Sequence, residues 1–74
     1  MTDPICEYDM VALLADLPEF NLPAGQTGAV VFVHDGEKAF EVEFPLTPRK
    51  SVVATVDRSN LLKLKGEPYS RTAV

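Results

Sequence analysis

The stretch from Asp16 to Val33 constrains the fold more than any other part of the chain. It reads Asp16-Leu17-Pro18-Glu19, a short irregular segment, Gly25-Gln26-Thr27-Gly28, and then Ala29-Val30-Val31-Phe32-Val33. A proline-stopped turn, a glycine pair and a dense run of β-formers follow one another in that order. This is the way a small β-barrel enters its first long hairpin. The order points to an architecture and carries no chemistry.

At 74 residues the chain is expected to form one domain. A core this small leaves only about 3–5 kcal/mol of net stability unless a disulfide, a metal or a partner chain adds to it. Cys6 is the only cysteine and His34 the only histidine, so neither an internal disulfide nor an ordinary four-ligand zinc site is expected. No metal or cofactor is expected. The lone cysteine fits a reducing compartment. The first fifteen residues hold Asp3, Glu7 and Asp9 and no base, unlike a secretory leader. No apolar run approaches membrane-spanning length. A cytoplasmic protein is expected.

The net charge is −4 and unevenly spread. Residues 1–45 carry nine acids and one base, and residues 46–74 carry six bases and two acids, so the halves are −8 and +4. Acidic and basic strands can neutralise one another across a sheet. Segregated on separate faces, they would suit a charged protein partner.

Residues 1–7 read as a flexible arm, 8–65 as the folded domain and 66–74 as a flexible tail. Strands are expected near 8–14, 28–34, 39–44, 52–56 and 61–65. Periodicity over Tyr8–Ala15 fits either a helical face or a strand buried on both sides, and the need for a partner strand favours the strand. A long loop follows, punctuated by Pro18, Asn21, Pro23 and Gly25. Its Leu17, Phe20 and Leu22 could fold back as a lid. Asp35-Gly36 is a strong hairpin signal. A two-residue loop there pairs Val31 with Phe40, and a four-residue loop pairs Val33 with Phe40 and Val31 with Val42. Both even registers set Ala29, Val31, Val33, Phe40, Val42 and Phe44 on one face. Val30, Phe32, His34, Glu41 and Glu43 then share the other. An odd loop would invert one strand against the other. The expected core includes Val31, Val42 and Phe44. Pro45–Ser51 reads as a turn, and Asp57–Asn60 as one 3-10 turn before the last strand.

Tyr8-Asp9-Met10-Val11-Ala12-Leu13-Leu14, Asp16-Leu17-Pro18-Glu19, Leu22, Gly25, Gly28-Ala29-Val30-Val31, Phe40-Glu41-Val42-Glu43-Phe44, Thr55-Val56 and Leu61 together resemble a small bacterial family, domain of unknown function 4926, over about residues 8–64. The resemblance implies an all-β, five-stranded SH3-like barrel, with a long loop after the first strand and a 3-10 turn before the last. It implies no activity and no site residues. A looser similarity reaches the SH3-like domains called KOW and proteins like the nitrile hydratase β-subunit. Phe32 stands where such a protein would be expected to carry a polar residue.

Few residues suggest catalysis. His34 stands alone beside the turn, and Cys6 has acidic neighbours, which disfavour a thiolate. Glu41 and Glu43 form an ordinary solvated face. Gly25-Gln26-Thr27-Gly28 lacks the lysine of a phosphate loop and leads into a strand. No enzyme is expected. A nucleic-acid-binding barrel would use Arg49, Lys50, Arg58, Lys63 and Lys65. Overall acidity opposes it, as does the lack of aromatic residues among those bases. The better reading is a protein-interaction module: an accessory subunit, an antitoxin-like or immunity-like protein, or a maturation partner. Its unidentified partner would be encoded nearby. The candidate surface comprises Phe20, Leu22, Val30, Phe32, Glu41 and Glu43. Val30 and Phe32 are expected to point outward, covered by Phe20 and Leu22, by a partner, or by a second copy in a homodimer.

Overall fold

A computed structural model describes residues 4–64 of the chain. Its strands are β1 (Met10–Leu13), β2 (Thr27–Val33), β3 (Ala39–Thr47), β4 (Lys50–Asp57) and β5 (Leu61–Lys63). Single 3-10 turns lie at Pro18–Phe20, Asp35–Glu37 and Arg58–Asn60. All neighbouring strands are antiparallel, in the order β4-β3-β2-β1-β5. The domain is all-β, with the expected long loop after β1 and the expected 3-10 turn before β5.

The sheet is curled but not closed. β4 and β5 are its two edges. In a flat sheet they would stand about 19 Å apart, four spacings of about 4.8 Å. The link from Asp57 to Leu61 can reach only about 14 Å when fully extended. Curling therefore has to bring the edges together. Val11, Leu13, Val30, Phe40, Val42, Phe44, Ala54, Val56 and Leu61 fill the inside as one cluster, joined by Leu22 and Ile5.

β1 settles the ambiguity at Tyr8–Ala15 in favour of a strand. It lies between β2 and β5, and Val11, Ala12 and Leu13 are all buried. Ile5 is 3% exposed, so part of the segment expected to be a flexible arm contributes to the core. The expected tail at 66–74 lies outside the described residues.

The hairpin between β2 and β3 corrects the expected register. The loop is the four-residue one, with Val33 opposite Phe40. Gly36 takes the positive φ of 78° that the turn requires. Phe32 then pairs with Glu41, but Val30 pairs with Val42, leaving Val31 as the extra residue of a β-bulge. A bulge switches the inward parity of everything before it. Val30 is accordingly buried in the core, and Val31, expected there, is only half-buried. Val42 and Phe44 are buried as expected.

The expected turn at Pro45–Ser51 is mostly strand. β3 runs on to Thr47 and β4 starts at Lys50, leaving Pro48 and Arg49 as the turn. The Arg58 N–H donates to the Lys38 carbonyl, which marks Lys38 and Arg58 as a hydrogen-bonded pair. Alternation then makes Pro45 and Ser51 a non-hydrogen-bonded pair. Proline's missing N–H costs nothing toward β4 there.

Candidate functional site

The outer face of β2, β3 and β4 collects the polar residues that touch one another. Phe32, Glu41 and Thr55 form one cross-strand row, and Glu43 stands between Ala29 and Val53 in the next. The His34 Nε2 donates to a Glu41 carboxylate oxygen at 2.7 Å, and the Thr55 hydroxyl donates to the same oxygen at 2.7 Å. Both bonds favour the ionised form and hold the Glu41 carboxyl below its ordinary range. The Ser51 hydroxyl donates to Glu43 at 2.7 Å. The His34 ring meets Phe32 edge to face, with centroids 5.0 Å apart. Phe32 is thus oriented against a histidine that a carboxylate holds in place.

Two large apolar side chains remain open on this face, Phe32 at 51% and Val53 at 50% exposure. Beside Glu43 lies a shallow groove of about 430 Å³, with Gly28 and Ala29 in its lining between Met10 and Pro45. Ala29, opposite Glu43 on this face, has only a methyl group to fill it. The face therefore carries a knob at Phe32, an apolar recess beside Glu43, and a rim of fixed carboxylates.

The other expected surface residues separate. Val30 and Leu22 are in the core, which corrects their placement on the binding surface. The Asp16–Thr27 loop closes on itself through a Leu17–Leu22 bridge that tucks Leu22 inward. Phe20 packs half-buried against the same core. The loop is the lid that the sequence suggested, but Phe32 stays open. Sequence reasoning missed Thr55, Val53, Ser51 and Met10. Val53 and Thr55 alternate with buried Ala54 and Val56, a period-2 signal hidden by the unbroken run of β-formers.

Two basic residues of the nucleic-acid reading, Arg58 and Lys63, are engaged in contacts of their own. The Arg58 guanidinium donates to the Leu61 carbonyl at 2.9 Å. The Lys63 ammonium donates to the Pro4 carbonyl at 3.0 Å and lies 3.4 Å from Asp9. Arg49 and Lys50 flank the start of β4, and Lys65 lies outside the described residues. Among the described residues no three histidine, cysteine or acidic side chains gather as a metal site. None of their helices is long and apolar enough to cross a membrane.

These features define a small all-β domain with an ordered polar and aromatic face. Residues 7–45 match the family model described as Domain of unknown function (DUF4926), and the chain belongs to that family. The match spans β1 to most of β3, so the knob at Phe32 and its Glu41 support lie within it, and Thr55 does not. No curated protein and no solved structure matches the chain.

Proposed function

We propose that this domain is a non-enzymatic protein-binding module that docks its partner on the outer face of β2, β3 and β4. The observation that carries the reading is Phe32. Half of a phenylalanine stands in solvent while its ring is set edge to face with His34. Large, oriented aromatic side chains are what protein interfaces use as anchors. The recess beside Glu43 supplies room for an apolar side chain from the partner. Glu41 and Glu43 supply an acidic rim, so the matching surface is basic around an apolar centre.

Phe32→Ser tests this directly. The tagged domain is used to capture protein from native lysate at low and moderate salt. The expected result is a captured protein that is lost with Phe32→Ser and weakened by salt, while the variant's far-UV circular dichroism stays that of the parent. Capture undiminished by Phe32→Ser, or no capture by the parent domain, overturns the reading.

A further inference from the structure

Among the described residues, β4 has a strand partner on one side only. β3 occupies one side of it, and no strand among the described residues occupies the other. The Lys38–Arg58 hydrogen-bonded pair fixes which groups lie there. Counting back in twos, Phe40–Val56, Val42–Ala54 and Phe44–Val52 are the pairs bonded to β3. The N–H and C=O groups of Ser51, Val53 and Thr55 therefore point to the free edge. Among the described residues, no backbone group of another element meets them. β4 is eight residues long, whereas the opposite edge, β5, has three. Short edges are a common protection against unwanted pairing, and β4 lacks it.

We infer that β4 is a dimerisation edge that pairs antiparallel with β4 of a second copy about a two-fold axis at Val53. The occupant follows from the charges. With Val53 opposite Val53 of the second copy, Ser51 faces its Thr55, and all of these residues have free backbone groups. Asp57 at one end of the strand then meets Arg49, which leads into the other end of the second strand. Symmetry makes this attraction twice. Moving the centre to Ala54 sets Lys50 against Arg58 of the second copy, a like-charge pair. Moving it to Val52 takes Asp57 away from Arg49 and shortens the paired run. Val53, half exposed in the single chain, gains its own counterpart as a neighbour. A two-fold pairing closes on itself and stops at two copies. It joins the two sheets edge to edge and leaves Phe32, two strands away, uncovered. The inference therefore goes beyond the Phe32 reading and is independent of it.

Sedimentation velocity over the micromolar range, together with circular dichroism, tests the edge. The parent chain is expected to form a dimer. Val53→Pro removes an N–H that only the free edge uses, and proline is tolerated at such positions. It is expected to give a folded monomer. Arg49→Asp and Asp57→Arg each set like charges together and are expected to weaken the dimer tenfold or more. The double variant restores opposite charges and is expected to recover most of the loss. Asp57 makes no side-chain cap on the following turn, so its replacement leaves that turn intact. Should Val53→Pro fail to fold, the charge exchange carries the test alone. A monomeric parent chain, a folded Val53→Pro that still dimerises, an assembly larger than two, or a double variant no better than the singles overturns the inference. Phe32→Ser is expected to leave the dimer unchanged, so failure of either proposal is visible separately.

Discussion

At the residue scale, Glu41 shows how one side chain ties three strands together. It sits in β3 and accepts hydrogen bonds from Thr55 in β4 and from His34 just beyond the end of β2. Both bonds lower its pKa from an ordinary value of 4.5. A carboxyl whose folded pKa is depressed stabilises the fold fully above its unfolded pKa, and that stability is lost as pH falls through the folded value. Glu41→Gln removes the titration. The parent chain should melt higher than the variant near neutral pH, and the gap should narrow as pH drops below about 4.5. Thermal melts between pH 7 and pH 3 measure this, and a gap that stays constant across the range contradicts it. The sequence shows Glu41 and His34 but not their bond. Glu41 alternates with Glu43 as a plain solvated face would. The pairing depends on the length of the turn at Asp35-Gly36, and Thr55 enters only through the β3–β4 register.

At the scale of elements, β2 does most to shape the molecule. Thr27–Ala29 pair with β1, and Ala29–Val33 pair with β3, so one strand serves both halves of the sheet. The bulge at Val31 gives it the bend that this requires. Gly28 permits the crossing. A Cβ there would lie 2.6 Å from the Glu43 carbonyl oxygen and 2.8 Å from the Phe44 ring. The first obstacle is backbone, which cannot rotate away. Gly28→Ala should therefore cost about 1–3 kcal/mol as overpacking, partly offset by about 0.4–1 kcal/mol from the lost freedom of the unfolded chain. The midpoint of urea unfolding reads it, and a midpoint equal to the parent's means that β3 can shift aside. The five strands are legible because Glu41 and Glu43 alternate with buried neighbours and because Asp35-Gly36 marks a turn. The bulge is not. Val30 and Val31 are identical side chains, and composition cannot say which faces inward. Only the second pairing, with Tyr8 and Asp9 on the β1 side, decides it: the Tyr8 N–H donates to the Val30 carbonyl, and the Val30 N–H donates to the Asp9 carbonyl.

At the scale of the whole molecule, the curl of the sheet concentrates stability in a few large side chains. The short link between β4 and β5 forces the two edges together, and the space enclosed has to be filled. Phe40 and Phe44 are the largest side chains that fill it, and both are fully buried. Phe44 comes from β3, the strand between β2 and β4. Its ring also lies against the place where Gly28 lacks a side chain, so the crossing and the core meet at this one residue. Truncating a buried phenylalanine to alanine costs about 3–5 kcal/mol. A single copy of a domain this size holds about that much in total. Phe44→Ala should therefore abolish cooperative thermal unfolding near room temperature, with loss of the near-ultraviolet circular dichroism of packed aromatic rings. Phe32→Ser, which removes a ring of the same size from the outer face, should leave the melt within a few degrees of the parent's. The pair of variants separates the two faces of one hairpin. If Phe44→Ala melts like the parent, or if Phe32→Ser melts like Phe44→Ala, then the assignment of inside and outside across the bulge is wrong. The surface around Phe32 would then be part of the core rather than a place for a partner to dock.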